Sequence, residues 1–341
     1  LPAVSQQQCR TGAGKPGLPW WLVACYYGGL EWGCDSLRPY PFPARQRLCR
    51  RRAWALACAV LSAAAVGAVA RAYSPLLEAT FLAVGQGDAI YLQVPGWRHI
   101  LIDAGPGRGQ LGGASAAERV VVPFLRWKGV RALDLVLLTH AHADHAGGLR
   151  WVAERAVIRR LGVPEGLLEG EDALRREVEE LQRRGRVQAL VRLQAGDCWQ
   201  LGRGLRLEVL SPLPGLAGGA DPNASALAVR VVYRRASLLC LSDLPAAVQE
   251  RLVAQKGAGL RAELLKAPHH GSRDAWYQPL WEAAGPRWAV ISVGRNAFGH
   301  PHGKVVEALR ALGVAVLRTD QAGAVTAVTV GGRWWIRTFV H

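Results

Sequence analysis

From residue 74 onward, apolar residues come in short runs punctuated by glycine, with longer helical periodicities between them. The pattern predicts strands over 77–83, 89–94, 99–103, 134–139, 205–210, 226–233, 237–241, 262–266, 287–293, 314–318, 324–330 and 333–340. Helices are expected over 115–127, 146–154, 171–184, 245–255, 275–284 and 304–312. Many strands with fewer helices predict an α/β fold of two sheets with helices packed outside. The stretch 171–184, EDALRREVEELQRR, carries charge on most faces and reads as a solvated surface helix.

The first 73 residues have a different texture. AWALACAVLSAAAVGAVA, residues 53–70, runs eighteen positions without a charge, the lower limit for a membrane-spanning helix, although its alanine content makes it a weak one. Five arginines lie in 44–52 and Arg71 follows closely on the other side. A transmembrane helix over 53–72 would therefore run outward and leave the remainder on the extracytoplasmic side. A buried alanine-rich helix or a signal-like segment is the alternative. LPWWLVACYYGGLEWG, at 18–33, is apolar but too short to span alone, and residues 1–17 read as unstructured. The chain begins with leucine, as a fragment or processed product would.

Half of the residues are hydrophobic and a fifth charged, a globular balance, while the net charge of +16 favours an anionic partner. Residues 1–73 hold nine Lys/Arg against Glu31 and Asp35, so +7 lies there and +9 (16 − 7) in the rest. The seven cysteines show no C-x-x-C pair, and such an odd, sparse set argues against a disulfide framework.

Chemistry concentrates in LLTHAHADHAGGL, residues 137–149, where a greasy strand ends in three histidines and an aspartate within six residues. Uncompensated charge beside a core is costly, so a metal is the first candidate partner. His140 and His142, two apart on an extended segment, point the same way and suit one ion; Asp144 and His145 suit a second.

THAHADHAGGL resembles the metal-binding signature of the metallo-β-lactamase superfamily, and ILIDAGP (100–106), LLCLSDL (238–244) and LLKAPHHGS (264–272) follow the same order. FLAVGQGDA (81–89), ISVGRNAFGHPH (291–302) and RTDQAG (318–323) resemble the C-terminal domain of the ComEC/Rec2 family of DNA-uptake channel proteins. The resemblance implies an αββα sandwich over 74–341. Residues 1–52 would then be a membrane-domain remnant and basic linker.

It further implies two divalent ions, Mn2+ or Zn2+, on His140, His142, Asp144, His145, Asp243 and either His269 or His270. His270 is the preferred ligand and His269 a proton donor or phosphate contact. Asp103 would brace the metal loops and Asp243 would bridge the ions, unless Asp243 merely caps the following helix. Asp88 either lines the site or forms a turn. Where the superfamily often has a third histidine, DPNASALAVRV (221–231) offers Asn223 and Ser225, as in this branch, which tilts the metal towards manganese. Ala83 replaces the aspartate usual before VGQGD.

Two adjacent ions suit hydrolysis, and the basic charge favours a phosphodiester. Asp144, His269, Ser225 and Asn223 are the candidates at the reacting centre. Lys266, Arg273 and Arg295 are candidates for phosphate contact, as are Ser272, His300 and His302. The expected activity is a nuclease degrading the non-imported DNA strand at the cell membrane. Its expected partners are DNA, the channel domain of the same protein and competence DNA receptors. A non-catalytic DNA-guiding module, or a hydrolase of a phosphorylcholine ester or thioester, is the alternative.

Overall fold

The computed structural model describes residues 10–11, 44–72, 74–96, 98–107, 115–216 and 221–340. It divides into two units: residues 12–74, and residues 1–11 with 75–341. Apart from 10–11, the stretches 1–17 and 18–33 lie outside the described residues.

In the smaller unit Ala44–Ala72 is one helix, so the stretch 53–70 is helical as expected. Among the described residues, however, no helix is long and apolar enough to cross a membrane. The expected transmembrane helix over 53–72 is thus not found. Half of the uncharged stretch is alanine, and its helix begins within the arginine-rich 44–52.

Among the described residues the larger unit holds two eight-stranded sheets. In the first the order is Trp335–Thr338, Val325–Thr329, Leu77–Phe81, Ile90–Val94, Arg98–Ile102, Leu135–Leu137, Leu161–Pro164 and Leu190–Leu193. The pairs are antiparallel up to Arg98–Ile102 and parallel beyond it. The second runs Arg10–Thr11, Cys198–Gly202, Leu205–Ser211, Ala228–Tyr233, Ala236–Cys240, Leu264–Lys266, Trp288–Ile291 and Ala315–Arg318. Its last four strands are mutually parallel.

Side-chain alternation explains the layering. Leu77, Ala79, Phe81, Ile90 and Leu92 meet Leu207, Val229, Val231 and Leu238 in the core between the sheets. Tyr91 and Leu101 point the other way, onto the layer with Leu125, Leu149 and Leu181. Leu239, Leu241 and Leu265 point outward from the second sheet onto Leu252, Trp281 and Leu309. Central strands buried on both faces read as unbroken apolar runs such as LLCL. The result is a helix–sheet–sheet–helix sandwich.

Three expectations need correction. Helix Asp172–Arg183 is not solvated all round: Val178 and Leu181 are buried against the first sheet, one turn apart on an otherwise charged helix. Arg10–Thr11 is not unstructured but adds a short parallel strand beside Trp199 and Gln200. Cys198 is disulfide-bonded, against the inference from cysteine spacing, which only sees frameworks with regular intervals.

Candidate metal centre

The site gathers at the carboxyl ends of strands from both sheets, where open parallel sheets bind ligands. Ile102 and Leu137 are register partners, so Asp103 emerges beside the Thr139–His145 segment, which turns into the short helix Ala143–Ala146. Cys240 pairs with Lys266 and Lys266 with Val290, which brings Asp243, His269–His270 and Ser292 to the opposite side. Glycine permits the close approach. A Cβ at Gly87 would lie 2.3 Å from the Asp144 carbonyl oxygen, and one at Gly148 2.1 Å from that of Ala104. Among the described residues five non-glycine residues have positive φ, and four of them are Asp103, Ser242, His269 and His270. Such strain persists where the surroundings over-determine it and clusters at functional sites.

Asp103 is buried and holds the loop in place. Its Oδ1 accepts from the Thr139 N–H at 2.8 Å, and its Oδ2 accepts from Thr139 Oγ1 and from His145 Nδ1, each at 2.8 Å. His270 Nδ1 donates to the Ser292 carbonyl at 2.8 Å. His140 Nδ1 lies 3.0 Å from Thr139 Oγ1 and 3.3 Å from Ser242 Oγ. Those hydroxyls already donate, Thr139 to Asp103 and Ser242 to Thr139 at 2.7 Å, so here they can only accept. All three rings therefore commit Nδ1 and turn Nε2 inward.

The Nε2 atoms of His140, His145 and His270 and Asp243 Oδ1 are buried and make no hydrogen bond. Orphaned polar atoms at this density require a partner, and imidazole nitrogens beside carboxylates match a divalent transition ion. Asp243 Oδ2 lies 3.3 Å from His145 Nε2 and 3.5 Å from His270 Nε2, while Asp144 Oδ2 lies 3.4 Å from His270 Nε2. One ligand atom each from Asp144, His145, Asp243 and His270 falls within 4.8 Å of the others. The His140 ring centroid is 4.2 Å from that of His145 and 4.8 Å from that of the exposed His142. Asp88, Asp103 and His145 also lie close together, but Lys266 and the hydrogen bonds of Asp103 already occupy that group.

Electrostatics follow from the burial. Desolvation would lower the His145 pKa, yet Asp243 and Asp103 outweigh it and hold the ring well above its usual range. Burial works against the Asp243 charge too, but His145 and His270 keep its pKa well below the carboxylate range. Burial also opposes ionisation of Asp144, where His270, its Nε2 3.4 Å away, and the charge of His145 again prevail and lower it. His140 and His269 are pushed down, chiefly by burial.

The other expected residues fare differently. Lys266 is fully buried, against Asp88, with its Nζ 3.6 Å from Asp243 Oδ1, so it underpins the site and cannot reach a phosphate. Asp88 therefore lines the site from below. Asp243 makes no helix cap: the next helix starts at Ala246 behind Pro245 with no capping side chain. Ser225 Oγ donates to the Pro222 carbonyl at 3.3 Å within its own turn. Asn223 Oδ1 is buried and unbonded, on a segment docked through Leu227 N–H to the Thr139 carbonyl.

Ser272 Oγ accepts from the Asp274 N–H in a turn, and Arg273 and Arg295 are exposed. His302 caps the helix Gly303–Ala311, its Nδ1 accepting from the Lys304 N–H at 3.3 Å. His300 does reach the site, its ring centroid 5.5 Å from that of His269. His269 Nε2 lies 3.8 Å from Asp243 Oδ2 and its side chain is partly open. Sequence reasoning missed Thr139, Ser242 and Ser292, whose contribution is to orient histidines. Thr139 directly precedes His140 and carried a signal; the Ser292 carbonyl carried none.

The profile of the Metallo-beta-lactamase superfamily matches residues 82–295. ComE operon protein 3 of Bacillus subtilis is 31% identical over 258 residues, which make up 73% of this chain and 32% of that protein. Competence protein ComA of Neisseria gonorrhoeae is 32% identical over 241 residues, 70% of this chain and 30% of that one. Recombination protein 2 of Haemophilus influenzae is 29% identical over 252 residues, 74% and 29% respectively. The chain thus spans about a third of the length of these relatives.

Proposed function

The chain belongs to the metallo-beta-lactamase superfamily and is a metal-dependent hydrolase of that fold, and on that premise we propose that its substrate is a phosphodiester in DNA. The observation that carries the reading is the convergence of Asp144, His145, Asp243 and His270, one ligand atom of each within 4.8 Å of the others, with the buried Nε2 atoms of His145 and His270 making no hydrogen bond. His140, His142, Asp144, His145, Asp243 and His270 would hold two divalent ions, with Asp103 fixing the ring of His145. Bound there, such ions supply an activated water and stabilise charge on the attacked and leaving oxygens.

The residues of the chain do the rest. Lys266 and Asp88 fix Asp243 from beneath. His269, partly open and 3.8 Å from Asp243 Oδ2, would act as a proton donor or contact the phosphate. The net charge of +16, with Arg273 and Arg295 exposed beside the site loops, favours a polyanion over a neutral ester. One of the longer relatives is named a competence protein, which supports a place in DNA uptake. In that setting the hydrolase stands at the cell membrane beside a channel domain, faces the extracytoplasmic side and cuts the strand that is not imported.

Comparing hydrolysis of bis-p-nitrophenyl phosphate, a thioester and a phosphorylcholine ester by the metal-loaded chain tests the substrate class. Metal-dependent turnover of the diester well above the other two is expected. Preference for the thioester or the choline ester would overturn it.

A further inference from the structure

We propose that Phe298 is a stacking platform for an unpaired nucleobase at the rim of the metal centre. The inference rests on the phosphodiesterase reading and names the form of nucleic acid the site takes: a strand with at least one base free. Phe298 is 73% exposed, a placement that burial energetics disfavours for so large an apolar ring. Its loop is held firmly. Asn296 Oδ1 accepts from the N–H groups of Phe298 and His300 at 3.0 and 3.1 Å, and Asn296 Nδ2 donates to the carbonyls of Gly294 and His300 at 2.8 Å each. One amide side chain thus fixes the loop from both ends and leaves the phenyl ring presented to solvent.

The ring is tied to the site. Phe298 stacks on His300 with centroids 5.7 Å apart and planes 30° apart. The His300 ring lies 5.5 Å from His269 and 6.5 Å from His270, and His270 Nε2 faces Asp144 and Asp243. A single imidazole therefore separates the exposed phenyl from the histidines of the cluster. Trp127, Trp335 and Phe339 are also exposed, but among the described residues Phe298 is the exposed aromatic in ring contact with a site histidine.

A nucleobase is the occupant the chemistry favours. Stacking on an aromatic ring accepts any base, and backbone phosphates suit the exposed Arg295 on the same loop. A quaternary ammonium also binds aromatic faces, but a chain of net charge +16 repels a cation, and one ring is no cage. Bases inside a duplex are already stacked on each other, so the platform selects a single strand.

The test is the binding of fluorescently labelled strands to the full chain in chelator, where no cutting occurs. A single-stranded oligonucleotide is compared with an abasic deoxyribose-phosphate strand of equal length and with a duplex. The wild-type chain is expected to hold the base-bearing strand about five- to a hundredfold more tightly than the abasic one. Phe298→Ala should lower that affinity to the abasic level, Phe298→Tyr should keep the preference, and neither should alter duplex binding. Three results would overturn the proposal: preference retained in Phe298→Ala, equal weakening on duplex, or displacement by choline and not by the oligonucleotide. DNA left uncut by the metal-loaded wild type would instead sink the phosphodiesterase reading, and the binding comparison would still read out.

Discussion

The ammonium of Lys266 lies against the Asp88 carboxylate and 3.6 Å from Asp243 Oδ1, fully buried beneath the metal centre. It balances two carboxylates that the core would otherwise leave exposed to low dielectric. Lys266→Met removes that balance and is expected to destabilise the fold by about 3–5 kcal/mol. Bound metal replaces part of the lost positive charge, so the loss should be larger in chelator. Urea unfolding with and without metal checks this; equal losses in both would contradict it.

Asp103 serves through His145, whose Nδ1–H it accepts at 2.8 Å. Asp103→Asn keeps the shape but weakens that hold and disturbs the Thr139 contacts. Metal affinity is expected to fall about 10–100-fold, the usual cost of losing a ligand's orienting partner. Metal titration followed by calorimetry would show it.

Paired histidines in a row invite a choice. His270 commits Nδ1 to Ser292 and buries a free Nε2, whereas the His269 ring is partly open. His270→Ala should abolish one metal equivalent. His269→Ala should keep both and lower turnover by about 100- to 10,000-fold, the range for a proton-transferring group. The reverse assignment would appear directly in metal content measured by mass spectrometry.

The metal-free protein should have a two-sided pH profile. His145 has a folded pKa well above 6.5 because Asp243 and Asp103 outweigh its desolvation. Its stabilisation is fully present below pH 6.5 and lost as pH rises through the folded value. Asp243, held well below 3.8 by His145 and His270 against desolvation, stabilises above pH 3.8 and loses that as pH falls through its folded value. Metal must displace the His145 proton, so affinity should rise with pH and binding should release protons. Titrations in two buffers of different ionisation heat would reveal the release; identical heats would contradict it.

Most of the strands and the ligand run were legible because both are local, but Leu161–Pro164, Leu190–Leu193 and Cys198–Gly202 were not expected as strands. Alternating or unbroken apolar runs mark the strands, and HAHADH is one contiguous run. The misreadings share a physical cause. Lys266 ends a strand beside the histidines, and nothing local says that Asp88, far away in the chain, turns it inward. His302 shares a loop with His300, yet only the start of the next helix shows that its Nδ1 is spent on Lys304. The charges on 171–184 masked a two-residue apolar contact. Backbone partners such as the Ser292 carbonyl leave no trace in side-chain chemistry.

The most direct measurement is to incubate the full chain with end-labelled single- and double-stranded DNA under manganese, zinc, magnesium or chelator, beside Asp144→Ala. Cutting that needs a divalent ion and disappears in the variant is the expected result, and it would place the chemistry at the histidine cluster. DNA bound but left intact under every metal would contradict the account and leave a guiding module in its place.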